Sequence, residues 1–370
     1  MKWLQNGNLA KLVAFFVISV VITCTVSFAA NGWESFVDDG SGEDRVVASG
    51  NSDNKNNEDA STPNTDIPVI LPTAKYYHSI TGLEIEFETS LKRPLCFVFS
   101  SSDPLYGISS SYLTIEIPTE YGNTRLLCFT DDAKTIGKIG SLAPSRGYIS
   151  NLASYFGGIL LSYGYDDGVE YDHSTPEYLL DFSSTPGYCY TEYTSYIYTN
   201  ADLVSAFMNN SKVNQSINEA VNIPYTFPLD ADPVILGGAD AKSVSIAYSE
   251  LNSTQLIYSE SEGCYFLSKN STVKTDLLND KALKYDNAFI LYADSTTYES
   301  EKTTQLIMNT ASSGKGVYMS GGRCVEISWI TSANGELEFY NESGERLCVN
   351  RGTSYIALVK SSMKSSVKIA

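Results

Sequence analysis

Between Leu12 and Ala30 the chain is apolar except for Ser19, Thr23, Cys24, Thr25 and Ser27, and Lys2 and Lys11 stand just ahead of it. A core helix would place polar residues at helical period, and this run does not. It reads as a signal peptide or N-terminal membrane anchor, which removes residues 1–30 from the folding problem. Three outcomes fit the residues. Ser27 and Ala29 suit the −3 and −1 positions of a cleavage site. The run is also long enough to stay in the bilayer uncleaved. Cys24 offers a lipidation site, although Thr23 is larger than the usual preceding residue and apolar residues continue beyond it. All three place the rest of the chain outside the cytoplasm, secreted or tethered to the outer face of the cell membrane.

Residues 31–74 read as a disordered acidic linker. They are rich in Asn, Ser, Asp and Gly, end on Pro63, Pro68 and Pro72, and carry a net −7. Such a segment buries too little apolar surface to order itself, and its like charges extend it. Asp38-Asp39-Gly40 lacks the alternating oxygen ligands of a calcium loop. The whole chain carries −18; with +2 on residues 1–30 and −7 on the linker, −13 remains on the folded part. That acidity excludes nucleic acid, which needs a basic face, and opposes charge-driven adsorption to anionic lipid. The membrane is therefore a partner through the N-terminal segment alone.

Over the whole chain 43% of residues are hydrophobic, and all 26 tyrosines lie beyond the linker, which is a folding composition. Leu95 to Phe99, Tyr112 to Ile117, Leu126 to Phe129 and Ile159 to Tyr163 are short β-rich runs bounded by turn residues. Ser145 to Phe156 shows helical spacing of Ile149, Leu152, Ala153 and Phe156, with Ser145 as a candidate cap. Ala201 to Met208 reads as a second helix capped by Asn200. After residue 220 strands dominate: 243–248, 255–258, 264–268, 288–292, 316–319, 324–330, 337–340 and 355–359, with Asn334-Gly335 as a hairpin signal. The expected fold class is α+β, with an N-terminal mixed α/β domain over 75–220, a β-rich C-terminal domain over 221–361, and a tail over 362–370.

Chemistry-bearing motifs are sparse. There is no phosphate loop, nucleophile elbow or CxxC spacing, so no metal and no cofactor is expected. Of the six cysteines after the leader, Cys96 and Cys128 lie in apolar strands and read as buried thiols; Cys324–Cys348 is the best candidate for a disulfide. His78 and His173 have no nucleophile motif attached and read as inert surface residues. The acidic loop Asp166 to Asp172 reads as solvated, its spacing being irregular for calcium. Tyrosines between 188 and 198 suggest either a sugar- or peptide-stacking surface or alternating strand burial.

In order along residues 76 to 361, His78-Ser79-Ile80-Thr81-Gly82-Leu83, Arg93-Pro94-Leu95-Cys96-Phe97-Val98-Phe99, Thr114-Ile115-Glu116, Thr124-Arg125-Leu126-Leu127 and Arg146-Gly147-Tyr148 resemble the YerB-like lipoprotein family. Ile197-Tyr198-Thr199-Asn200, Gly263-Cys264-Tyr265, Asp276, Asn287 to Leu291, Trp329 and the run from Gly344 to Ile356 continue the resemblance. It implies an exported, commonly lipid-anchored, two-domain protein without an established activity. The chain departs from the family pattern at Tyr112, Ala143, Ser162 and Ser195-Tyr196, where an acid, an arginine, a histidine and a His-Asn pair are expected. The polar set is thereby pruned to Glu116, Arg125 and Arg146.

Glu116 and Arg125 stand on adjacent strands joined through Gly122, where they read either as a structural ion pair or as part of a site. In the second case Arg125 and Arg146 grip an anion at a helix start, and Glu116 and Tyr148 complete the ligand-binding set. The expected function is an extracytoplasmic ligand-binding or scaffolding module. Its partners would be a cell-envelope glycan, an anionic small ligand or another envelope protein. The alternative is an enzyme on a cell-wall or lipid-linked polymer with Glu116 as general acid or base.

Overall fold

The computed structural model describes residues 75–131, 133–165, 179–192, 194–217, 223–229, 232–299 and 304–370. The apolar leader, the linker, the acidic loop 166–172 and His173 lie outside the described residues. Among the described residues no helix is long and apolar enough to cross a membrane.

The β-rich runs form strands, and half of them are one or two residues longer than their apolar stretch. The first half supplies β1 (Leu95–Ser100), β2 (Leu113–Pro118), β3 (Thr124–Thr130), β4 (Ile139–Leu142), α1 (Gly147–Tyr155), β5 (Ile159–Ser162), β6 (Ile197–Thr199) and α2 (Ala201–Asn210). Next come β7 (Ser243–Ser249), β8 (Asn252–Ser259), β9 (Cys264–Lys269), β10 (Asn287–Ala293), β11 (Ser295–Glu299) and β12 (Thr304–Met308). The chain closes with β13 (Ser313–Ser320), β14 (Arg323–Thr331), β15 (Leu337–Tyr340), β16 (Ser354–Lys360) and β17 (Val367–Ile369). Asn200 caps α2 as expected, its Oδ1 accepting from Leu203 N–H at 3.0 Å.

The large sheet runs β14–β13–β10–β16–β2–β3–β1 and continues into β4 and β6. Here the expected division at residue 220 gives way. β16, from the second half, lies between β10 and β2 and is parallel to both, with Tyr355 opposite Thr114 and Ala288. β2 and β10 are buried along their whole lengths. Strands apolar on both faces need neighbours on both edges, and β16 meets that need for β2 and β10 together. A smaller antiparallel sheet, β9–β8–β7–β17, is the second layer. β17 corrects the expected tail: Val367–Ile369 pairs with β7, Ile369 opposite Val244. The described residues are strand-rich in both halves, so the mixed α/β expectation for the first half holds only for the positions of α1 and α2.

Two cores flank the large sheet. On one face Ile115, Ile117, Leu127, Phe129, Phe289 and Ile356 pack with Ile149 and Leu152 of α1 and with Phe156 just after it. On the other, Leu126, Cys128, Ile290 and Tyr355 pack with Val244, Leu256 and Leu267 of the smaller sheet. The six described cysteines are free thiols. The Cys324–Cys348 disulfide is not formed: Cys324 stands opposite Met319 and Ala239, whereas Cys348 bridges to Thr226.

Glu116 sits in the middle of β2 with 0% exposure and faces the smaller sheet. Its carboxylate accepts from Lys269 Nζ at 2.5 Å, Thr124 Oγ1 at 2.8 Å, Thr254 Oγ1 at 2.7 Å and Tyr355 OH at 2.5 Å. Lys269, opposite Thr254 on the neighbouring strand, also donates to Thr254 Oγ1 at 2.9 Å. Burial alone would raise the carboxyl's pKa. The Lys269 charge and the hydrogen bonds from Lys269, Tyr355 and Thr254 outweigh it and hold Glu116 below the ordinary 4.5. The stability it contributes is complete above pH 4.5 and is lost as pH falls through the depressed native value. Lys269→Met strands the buried carboxylate and should cost about 3–5 kcal/mol in urea unfolding. Glu116→Leu combined with Lys269→Met should recover most of that loss and flatten the acid limb of the stability curve relative to the native protein.

Candidate functional site

The register of β2 against β3 decides what the expected site residues can do. Glu116 stands opposite Leu126, and Arg125 stands opposite Ile117. Side chains alternate along a strand, so Arg125 projects with Leu127 and Phe129 toward α1 while Glu116 projects toward the smaller sheet. The expected Glu116–Arg125 pair is therefore absent. The partner of Glu116 is Lys269, and the carboxylate is enclosed between the two sheets, away from Arg146 and Tyr148.

Arg125, Arg146 and Tyr148 do come together, on the α1 face. Pro144 precedes the helix, and Arg146 rather than Ser145 is its N-cap, with extended backbone at φ −146° and ψ 162°. The Ser145 hydroxyl donates instead to the Arg146 carbonyl at 3.4 Å. Arg125 Nη1 donates to the Pro144 carbonyl at 2.5 Å, and the Tyr148 hydroxyl donates to the Pro118 carbonyl at 3.2 Å. Burial pushes the Tyr148 phenol up to about 12, a rise that the nearby Arg146 and Arg125 charges reduce and the Glu120 charge increases. One hydroxyl thus feels both guanidinium groups and a carboxylate.

That carboxylate, Glu120, was not among the expected site residues. It lies in the turn Glu120–Gly122 between β2 and β3, where an acidic residue in a sequence reads as solvated. Here its Oε1 accepts from Arg146 Nη1 and, at 2.5 Å, from the backbone N–H of Leu306 on β12. Beside it a cleft of about 350 Å³ opens between the start of α1 and β12. Its lining includes Arg146, Tyr148, Asn151, Tyr165 and residues 305–311. Thr310, part of that lining, is 4% exposed, and its Oγ1 has no hydrogen-bond partner among the described residues. A larger groove of about 690 Å³ runs past Ser109, Cys264, Lys281 and Lys284. It holds none of the expected site residues, and its charges oppose one another, Lys284 being paired with Glu262 at 2.6 Å.

One further expectation changes, and another is decided at one residue. His78 is buried rather than at the surface: its Nδ1 accepts from the Ile80 and Thr81 amides, each at 3.1 Å. The ring hydrogen is therefore on Nε2, which faces Asp131 Oδ1 at 3.1 Å, and the same oxygen accepts from Tyr112 OH at 2.9 Å. The ring pins a turn and activates no nucleophile. Tyr198 is 3% exposed, and Lys138 Nζ lies 3.8 Å from its ring centre and 4.1 Å from that of Tyr106. At Tyr198 the strand-burial reading therefore holds, and its ring carries the chain's own ammonium.

Tyr148→Phe should cost about 1 kcal/mol in urea unfolding, the net worth of one buried hydrogen bond. It should leave the tyrosinate absorbance titration unchanged below about pH 11, because a phenol held near 12 remains protonated there.

Residues 244–356 match a family model described as protein of unknown function (DUF3048) C-terminal domain. No curated protein matches the sequence. Among solved structures, the crystal structure of YerB protein from Bacillus subtilis has a similar fold, with a TM-score of 0.68 and 19% identity. The similarity covers 80% of this chain and 100% of that one. At this identity it speaks for the fold alone.

Proposed function

We propose that this chain, a YerB-like member of the DUF3048 family, is an extracytoplasmic binding module that holds an anionic ligand in the cleft at the start of α1. The observation that carries this reading is the convergence of Arg125 and Arg146 on Tyr148 beside a cleft of about 350 Å³. Helix starts present amides without an intrahelical acceptor, and guanidinium adds charge and bidentate geometry. The apolar leader and acidic linker support a position outside the cytoplasm, tethered or released, with envelope glycans, small anions or envelope proteins as the accessible partners.

Catalysis by Glu116 has less support. A general acid or base must reach the reacting proton directly or through one water, and Glu116 has 0% exposure and all its near donors within the protein. Its role is to join the two sheets.

Calorimetric titration tests the binding reading, using inorganic phosphate, N-acetylglucosamine 1-phosphate and short peptides with a free carboxylate. At least one should bind, and Arg125→Ala with Arg146→Ala should weaken it by about tenfold or more, since a hydrogen bond to a charged group contributes about 1.5–3 kcal/mol. Failure of the native protein to bind any of the three would end this reading.

A further inference from the structure

We infer that the anionic group taken by the cleft is the terminal carboxylate of an extended peptide that adds to the outer edge of β12, and that Glu120 occupies the carboxylate's position in the unliganded protein. The inference rests on the binding reading above and names its ligand class.

The edge comes first. Among the described residues β12 pairs with β11 alone, antiparallel, with Leu306 opposite Thr297. The Asn309 N–H donates back to the Asp294 carbonyl at 2.8 Å. Main-chain groups alternate in direction along an antiparallel strand, so positions 305, 307 and 309 turn toward β11 and 304, 306 and 308 turn outward. The Leu306 N–H, pointing at Glu120, agrees with that parity. The outward groups of β12 meet no strand, and the cleft runs along the same stretch, residues 305–311. An unpaired edge beside a groove is the arrangement by which an extended peptide joins a sheet, its main chain bonding to the edge and its side chains entering the groove.

The second observation concerns Glu120. An edge-strand amide and a guanidinium that share one carboxylate oxygen form a donor set for a peptide's C-terminus. In this protein the Leu306 amide and Arg146 form that set, and a carboxylate from the β2–β3 turn sits in it. The chain therefore shows the proposed mode of recognition with its own side chain. Thr310 Oγ1, buried along the same lining and without a partner among the described residues, adds a hydroxyl for a main-chain group of the incoming peptide. A ligand carboxylate has to displace Glu120, so the free protein competes with its own ligand.

The test is titration of the full protein with an extended tetrapeptide as free acid and as C-terminal amide, and with N-acetylglucosamine 1-phosphate. Native protein, Glu120→Gln and Glu120→Ala are compared, with amide NMR shifts followed at Leu306 and Met308. The free acid should bind, the amide should bind about tenfold more weakly, and Glu120→Ala should tighten the free acid by about tenfold. Glu120→Gln keeps the acceptor oxygen and loses only the charge, so it should tighten binding in the same direction, and it carries the test if Glu120→Ala does not fold. Binding of the phosphosugar with equal or no binding of the two peptide forms overturns this inference and leaves the binding reading intact. Free-acid binding that neither Glu120 variant changes, or that leaves the Leu306 and Met308 amides unmoved, also overturns it. No binding to any variant by any of the three probes sinks both.

Discussion

A carboxylate in the middle of a fully buried strand is a demand that the rest of the chain must meet. Glu116 on β2 faces the interior between the two sheets, and only a matching cation with supporting hydroxyls makes that position tenable. Lys269 meets it from β9, Thr254 from β8, Thr124 from β3 and Tyr355 from β16. Four strands drawn from both halves are thus held in one register about one charge. A slip of β2 by a single residue would turn Glu116 into the apolar face against α1 and leave Lys269 buried without its partner. The pair sets which face is which, and everything on the α1 side inherits that assignment.

The cleft is part of that inheritance. With Glu116 committed to the smaller sheet, the alternation along β3 sends Arg125 to the other face, where the start of α1 and the hairpin β11–β12 meet. Leu306 and Met308 anchor that hairpin in the same core as α1. The β2–β3 turn then carries Glu120 to the top of the junction, where it ties α1 to β12 through Arg146 and the Leu306 amide. A cleft lined by Arg146 on a folded part carrying −13 gains nothing from the long-range field, which repels anions. Its selectivity must come from contacts within a few ångströms, where geometry outweighs net charge.

Much of the fold was legible in the residues because the local signals were strong. Continuous apolar runs such as Asn287–Ala293 became central strands, and helical spacing placed α1 and α2 to within about two residues. The pairing of strands distant in the chain was not legible. The expectation of a Glu116–Arg125 pair required 116 to stand opposite 125, and the register is 116 opposite 126, a one-residue difference that reverses the face. Lys269 lies at the end of its strand, where a lysine ordinarily marks solvent, and no local pattern links it to a residue 153 positions earlier. Glu120 sits in a turn and looks solvated until β12 is placed beside it. The continuity of the large sheet across residue 220 depends on β16 slotting between β10 and β2, a long-range arrangement that composition cannot show.

Three of the positions at which the chain departs from the family pattern are absorbed into packing, whereas Ser195 is exposed. Tyr112 donates to Asp131, which also faces His78; Ala143 is buried in the α1 core; the Ser162 hydroxyl donates to the Gly164 carbonyl at 3.2 Å. Arg146 and the Leu306 amide, which the cleft offers to an anion, are the groups that hold Glu120 in place. Exchanging Glu120 for an external carboxylate replaces one charge-assisted contact set by another, so most of the carboxylate's gross contribution is offset and only its modest preference over an amide survives. Affinity has to come from the remaining outward groups of β12 and from side chains filling the cleft, both of which scale with the length of extended chain laid along the edge. A single free carboxylate, however well it fits between Leu306 and Arg146, would not outcompete the one the protein already supplies.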